Sequence, residues 1–144
     1  MNLSSGVYYY DVKTHSIVMV KQGDVRKDLS RAALGQKWIM IAPVSIVITA
    51  IYERSTHRYG EKGIRYGYVH IEVGHVGQNI YLQAVALGLG TVAVGAFYDE
   101  EIRRIVGTSE NENPIYIMPI GYPKQVYKLK LSILVEHYKT QRRG

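Results

Sequence analysis

The short segment Val94-Gly95-Ala96 is the part of the sequence that most specifically suggests a binding site. It follows an apolar run and contains no polar side chain. Glycine has no side chain, so the main chain at Gly95 can lie directly against a flat ligand and offer it N–H and C=O groups. This chemistry suits a planar aromatic ring. Glycine also occurs in turns of proteins that bind nothing, so the segment by itself leaves both interpretations open.

Two other glycines, Gly88 and Gly90, precede Gly95 in a spacing that superficially resembles a dinucleotide-binding loop. They follow a predicted helix and precede a predicted strand, whereas that loop needs a strand first and a helix second. A phosphate-binding loop ending in Lys-Ser or Lys-Thr is also absent. We therefore interpret Gly88 as a helix stop and Gly90 as a tight turn.

A polar stripe runs along the longest predicted helix, formed by Glu72, His75, Asn79 and Gln83 at helical spacing. The other sides of this helix are largely apolar, which is typical of a buried helix. An unpaired buried polar group costs about 1–3 kcal/mol, so the stripe needs partners. Three sources remain open: other elements of the same chain, which we favour, a second copy of the chain, or a polar ligand.

Metal and thiol chemistry find no support in the residue types. The chain has no cysteine, which removes disulfides, thiolate metal sites and cysteine nucleophiles, and which suits a reducing cytoplasm. His70 and His75 are five residues apart and point to different sides of a helix, and no His-Glu-x-x-His sequence occurs. We expect no metal, and no side chain stands out as catalytic.

Strands and helices follow one another along the chain, beginning with a predicted hairpin. The predicted elements are, in order: strands from Gly6 to Tyr10 and from Ser16 to Lys21, a helix from Gly23-Asp24 to Leu34, a strand from Val44 to Ala50, a helix or loop from Tyr52 to Gly67, a helix from about Tyr68 to Leu87, a strand from Thr91 to Val94, a helix from Asp99 to Val106, a strand from Ile115 to Ile120 and a half-exposed strand from Val126 to Val135. The β-branched run from Val44 predicts a central strand covered on both faces. This order predicts an α/β or α+β layered domain with a mixed sheet.

The bulk composition predicts a single soluble domain spanning residues 1–144. An apolar fraction of 47% and a charged fraction of 21% are typical of a folded globular protein. The amino terminus has neither the basic start nor the apolar run of a signal peptide. The longest apolar run, Trp38 to Ile51, is too short to cross a bilayer, so we interpret it as core. We therefore expect a cytoplasmic protein that is not associated with a membrane.

The net charge of +6 is concentrated at the carboxyl end, where residues 124–144 form a basic extension. A basic tail can bind nucleic acid or another anion. The sequence contains no recognised nucleic-acid module, so we do not expect nucleic acid as a partner. We interpret the extension as a solvated strand edge followed by a frayed end.

Several motifs, in order, resemble the FMN-dependent nitroreductases. They are the central helix and turn (Gly74 to Ala84, then Gly88 to Val92), the segment from Val94 to Asp99 and the segment from Met118 to Pro123. The closest resemblance within that family is to the SagB-like dehydrogenases, which oxidise azoline rings in modified peptides. That branch shares the hairpin of Gly6 to Asp11 and the stretches Tyr59-Gly60 and Arg65-Tyr66. The resemblance covers roughly residues 6 to 123.

The resemblance implies an α+β fold with a mainly antiparallel mixed sheet flanked by helices. It also implies a homodimer in which the long central helix lies at the interface, beside bound FMN. The main chain of Val94, Gly95 and Ala96 would face flavin N5 and donate an N–H to it, and Lys124 would help to hold the phosphate. FMN would carry a hydride from NAD(P)H to a small or peptide-ring substrate. The strand from Val126 to Val135 would add to the partner's sheet.

In the same family, an Arg-Arg-Ser-type motif for the FMN phosphate and a Ser-rich loop precede the matched region, and this sequence has neither. Position 94, acidic in many relatives, is valine. Two hypotheses remain. The chain is an FMN-dependent oxidoreductase whose front is supplied by a separate polypeptide or replaced by the basic tail, or it is a non-catalytic nitroreductase-like dimer that binds flavin weakly or not at all.

Overall fold

The computed structural model describes residues 3–65, 67–126 and 130–141. Its elements are, in chain order, β1 (Gly6–Asp11), β2 (Ser16–Gln22), α1 (Arg26–Ala32), α2 (Lys37–Ile41), β3 (Val44–Ala50), α3 (Tyr52–Tyr59), α4 (Glu61–Arg65), α5 (Tyr68–Ala86), β4 (Gly90–Thr91), α6 (Asp99–Val106), β5 (Asn113–Gly121) and α7 (Leu131–Gln141). Strands β1 and β2 form a hairpin, and the other strands form a sheet in the order β3-β5-β4. All pairings between the described strands are antiparallel, so the predicted α+β class with a mainly antiparallel sheet is confirmed.

The hydrophobic core lies on one face of the sheet, between β5 and the helices α1, α2 and α6. It is formed by seven buried residues from these elements and from the segment after β4: Leu29, Ala32, Ala33, Ile39, Val94, Ile102 and Ile117. The opposite face of β5 packs on α5, where a Cβ at Gly77 would lie 3.6 Å from the Tyr116 ring. Strand β5 is therefore covered on both faces, and it is the central strand because it pairs with β3 on one side and β4 on the other.

Helices α5 and α6 form where the sequence predicts them. Both are followed by a glycine in the left-handed region, Gly88 at φ 71° and Gly107 at φ 77°, which a residue with a side chain adopts at a cost. One detail differs. An acidic side chain at the start of α6 suggests a cap, but Asp99 is the first residue of the helix, and Tyr98 occupies the N-cap position without a side-chain cap.

The prediction of a carboxyl-terminal strand from Val126 to Val135 is wrong for the part that the structure describes. Residues 131–141 form helix α7, and residues 127–129 lie outside the described residues. Apolar side chains recur at helical spacing in this stretch, at Leu131, Leu134, Val135 and Tyr138. The alternation of cations and apolar residues before Leu131 misled the prediction toward period two.

Strand β3 forms at its predicted bounds, Val44–Ala50, but the prediction that it is central is wrong, because it lies at the edge of the sheet formed by the described strands. Val44 and Ile46 are exposed, as are Trp38 and Ile41 of the unpredicted helix α2, so the run from Trp38 to Ile51 is only partly core. The helical conformation is interrupted before α2 at Leu34 and Gly35, which both have positive φ. A run of apolar residues indicates that a strand packs against other elements, but it does not identify which elements these are.

The core predicts a large stability difference between two isoleucine substitutions. Ile102→Ala should lower the free energy of unfolding by about 2–5 kcal/mol, because Ile102 is 0% exposed and its removal leaves a cavity. Ile133→Ala should cost less than about 0.5 kcal/mol, because Ile133 is 59% exposed on α7. Urea unfolding of the two variants beside the wild type measures both, and equal effects would contradict the assigned core.

Candidate functional site

The segment that follows β4 is held in place from two directions. The Ala93 N–H donates to the hydroxyl oxygen of Tyr81 on α5 at 2.7 Å. The next residue, Val94, exchanges two main-chain hydrogen bonds with Ile117 on β5, each 2.9 Å long. Helix α5 and strand β5 therefore fix consecutive residues of the same segment.

Two further hydrogen bonds hold the far end of this segment. The Gln36 side chain donates to the carbonyl oxygen of Ala96 at 3.3 Å. The Tyr98 N–H donates to the carbonyl oxygen of Ala32 on α1 at 2.9 Å. The main chain is thus fixed on both sides of Gly95 before any ligand binds.

Between these contacts, Gly95 and Ala96 present an open stretch of main chain. Both residues are exposed, and within the described residues neither of their N–H groups has a hydrogen-bond partner. Such N–H groups on a rigid, exposed main chain can donate to an acceptor atom of a flat heteroaromatic ring without reorganising first. Gly95 and Ala96 therefore present exposed main chain, whereas Val94, the third predicted residue, is buried in the core.

The Tyr116 ring fills the space behind Gly95. A Cβ built on Gly95 would lie 3.7 Å from this ring, at ordinary van der Waals distance, and the same ring packs on Gly77 of α5 from its other edge. The ring therefore supports the segment from the α5 side of the sheet, while the other side of Gly95 remains exposed. An alanine at position 95 fits this geometry, because its Cβ would only touch the ring.

Lys124, the predicted phosphate contact, lies in a different place. It is exposed in the turn after β5 and makes no ion pair within the described residues. The strand between Tyr116, which lies behind Gly95, and Gly121 spans about 17 Å at about 3.3 Å per residue. The structure thus brings Val94, Gly95 and Ala96 together and places Lys124 beyond one end of the strand.

A tyrosine–histidine pair lies where α3 meets α5. The Tyr52 hydroxyl and His70 Nε2 are 3.2 Å apart, within hydrogen-bond distance. Burial, and after it the negative charge of Asp99, raises the pKa of Tyr52 above its ordinary value.

The polar stripe of α5 does not behave as predicted. Glu72, His75, Asn79 and Gln83 are all exposed, and none makes a side-chain hydrogen bond to another described residue. The expectation that partners for the stripe lie within its own chain is therefore wrong. The reason is that the buried arc of α5 is narrow and contains mainly small and β-branched residues.

The outward face of α5 is partly apolar, which contradicts the prediction that the whole helix is buried. Ile71, Leu82 and Val85 are exposed there, at 51%, 61% and 73%. Together with His75 and Gln78 they recur every three or four residues, the spacing of a seam between two packed helices. This face has no cover from the described part of the chain.

Within the described residues there is no group of three or more potential metal ligands, and no helix is long and apolar enough to cross a membrane.

Sequence reasoning missed Tyr81, Tyr116 and Gln36, which all contact the site. A tyrosine hydroxyl that meets a main-chain N–H twelve residues later leaves no periodic signal in the sequence. The pair of glycines that face Tyr116, Gly77 and Gly95, was visible, but nothing in the sequence indicates that one ring lies between them.

Residues 7–122 match the sequence model of the nitroreductase family. The chain belongs to the nitroreductase family. Members of this family are generally flavin-dependent oxidoreductases. A protein of Methanocaldococcus jannaschii that is named a nitroreductase is 51% identical over 121 residues, which cover 84% of this chain and 59% of that protein. This chain therefore spans less than two thirds of that relative's length.

Two solved structures share the fold of this chain. A nitroreductase from Anabaena variabilis superposes with a TM-score of 0.77 at 31% identity, over 85% of this chain and 25% of that one. The NADPH:FMN oxidoreductase of Vibrio harveyi, in complex with NAD⁺, superposes with a TM-score of 0.56 at 21% identity, over 82% of this chain and 62% of that one. The second comparison concerns the fold only.

Proposed function

We propose that this nitroreductase-family chain binds FMN and acts as an oxidoreductase, with NAD(P)H as electron donor. One observation carries the proposal: the free N–H groups of Gly95 and Ala96 lie on exposed main chain that is fixed on both sides. When bound, FMN supplies the hydride chemistry. The chain's own part is to hold the ring in place and to donate an N–H to its N5 position.

The phosphate end of FMN needs more than Lys124. A phosphate dianion is held well only by two or three cationic or N–H partners. We propose that the remaining contacts come from a second copy of the chain or from a separate polypeptide.

We further propose that the chain forms a homodimer through the outward face of α5. Its solvent-accessible surface is 11345 Å². A compact monomer of 16.3 kDa would expose only about 7,500 Å², so roughly a third of the surface is in excess. Obligate interfaces bury roughly 2,000–5,000 Å² in total, so an excess of this size is large enough to include one. The exposed seam of Ile71, Leu82 and Val85 is the apolar helix face that such an interface would bury.

The substrate class that we propose is a small molecule or a ring within a modified peptide. The support is the resemblance of the hairpin from Gly6 to Asp11, and of Tyr59-Gly60, to the azoline-oxidising branch. The exposed hairpin strands would leave room for an extended chain, since β2 is exposed along its whole length. We expect the protein to act in the cytoplasm.

A matched pair of substitutions at Gly95 tests flavin binding. Gly95→Pro removes the N–H and should weaken FMN binding at least about tenfold, the equivalent of one hydrogen bond. Gly95→Ala places a Cβ in the same position but keeps the N–H, so its affinity should match the wild type. Gly95 lies outside the left-handed region, so neither change is strained on that ground. Titration of FMN fluorescence measures the dissociation constants.

A folded Gly95→Pro variant with wild-type affinity for FMN would contradict the proposal that the Gly95 N–H binds the flavin. Circular dichroism of both variants establishes that they are folded. If the folded wild-type chain shows no binding of FMN in this titration, the non-catalytic alternative replaces the proposed function. A shortage of phosphate contacts would be its cause.

A charge in the α5 seam tests the dimer. Leu82→Glu should convert a wild-type dimer into a monomer at micromolar concentration, because a two-fold axis would bury two unpaired carboxylates. Val12→Glu is the control, since Val12 is 76% exposed in the turn of the hairpin. Sedimentation velocity measures the mass of each variant. A Leu82→Glu protein that remains dimeric would move the interface elsewhere.

A further inference from the structure

One side chain outside the expected flavin contacts holds the binding segment in place. Tyr81 lies on the inner side of α5, half-buried, and its hydroxyl oxygen accepts the Ala93 N–H at 2.7 Å. Ala93 directly precedes the segment formed by Val94, Gly95 and Ala96. The contact joins the long helix to the main chain at the point where that chain leaves β4.

The other contacts of the segment do not replace this one. The pairing of Val94 with Ile117 fixes a single residue to β5, because β4 ends at Thr91 and Val94 forms an isolated bridge. Val92 and Ala93 lie between these two pairings, and the Ala93 N–H donates to the Tyr81 hydroxyl oxygen. Loss of the Tyr81 hydroxyl would leave the Ala93 N–H without this partner.

Packing on the same side supports the contact. A Cβ at Gly77, one helical turn before Tyr81, would lie 3.6 Å from the Tyr116 ring, and that ring also lies behind Gly95. Helix α5 therefore reaches the segment twice, once through a hydrogen bond and once through an aromatic ring. The hydrogen bond is the directional contact of the two, because it fixes the orientation of a peptide plane.

We infer that Tyr81 is a positioning residue, which orients the main chain of residues 93–96 so that the free N–H groups point toward the bound ring. The part of this inference that concerns the ring rests on the proposed function. The part that concerns the main chain can be measured without any flavin. Leu82, the next residue on α5, faces outward, so one rigid helix carries both the proposed interface and this contact.

Tyr81→Phe is the decisive variant, because it removes one hydroxyl and keeps the ring. Tyr8→Phe is its control: the Tyr8 hydroxyl donates to the carbonyl oxygen of Ser4, also at 2.7 Å, in the hairpin. Amide hydrogen exchange by NMR on the flavin-free protein gives the first measurement. Exchange at Ala93 should accelerate at least about tenfold in Tyr81→Phe and stay unchanged in Tyr8→Phe. Exchange at Ile117 should stay slow in both.

The second measurement uses FMN. Tyr81→Phe should weaken FMN binding about tenfold and shift the reduction potential of the bound flavin, whereas Tyr8→Phe should leave both unchanged. A shifted potential separates positioning from a merely structural role, since a loss of stability alone would lower occupancy without altering the bound flavin.

The outcomes separate the two proposals. Unchanged exchange at Ala93 in Tyr81→Phe overturns the inference whatever FMN does. Faster exchange at Ala93 with wild-type FMN affinity and potential overturns the positioning of the ring. If the wild-type chain binds no FMN, the proposed function fails, and the role of Tyr81 toward the ring fails with it. The exchange measurement still decides whether Tyr81 fixes the main chain.

Discussion

Two main-chain hydrogen bonds between Val94 and Ile117 join the segment after β4 to the centre of the sheet. The side chains of these two residues are buried on the face that packs against α1, α2 and α6. Because successive residues of an extended chain point to opposite faces, Gly95 and Tyr116 then face α5. The core and the binding edge are therefore two consequences of the same pairing. A shift of one residue in the pairing register would move each of these side chains to the opposite face of the sheet.

Helix α5 serves both sides of this arrangement. Its inner face contains Gly77, which lets the helix approach the Tyr116 ring closely, and Tyr81, which bonds to Ala93. Its outer face leaves apolar side chains in solvent. A helix that is apolar on two sides needs cover on both, and the described elements of this chain cover only the inner side of α5. That imbalance is the physical basis for expecting a second chain at the outer face.

Sequence patterns predicted the elements best where two independent signals agreed. Helix α6 has acidic residues in its first turn, basic residues in its last turn and a glycine stop, and it was predicted at its observed bounds. The β1–β2 hairpin and α5 were predicted within one residue at most of their ends. Where one signal stood alone, the prediction failed. Val126 to Val135 shows alternation without a turn signal, and its described part is helical from Leu131 onward.

The burial predictions failed for a different reason. The apolar run of Val44 to Ala50 and the apolar sides of α5 both require cover, and the sequence contains that requirement. Neither run shows whether the side chains are buried by the same chain or by another one, because burial depends on contacts between residues far apart in sequence. Val44 and Leu82 are consequently exposed in this chain although their surroundings in sequence are apolar.

For the candidate site, the sequence by itself determined that main chain with little side-chain cover exists at Gly95 and Ala96, since glycine and alanine have that property in any fold. It also carried the family motifs in order. Only the tertiary structure decided that this stretch is held by Tyr81 and Ile117, that Tyr116 lies behind it, and that Lys124 lies well away from it. Those facts depend on the register of β5 and on the side of α5 that faces it. Both are set by packing between distant parts of the chain, and no local pattern encodes them.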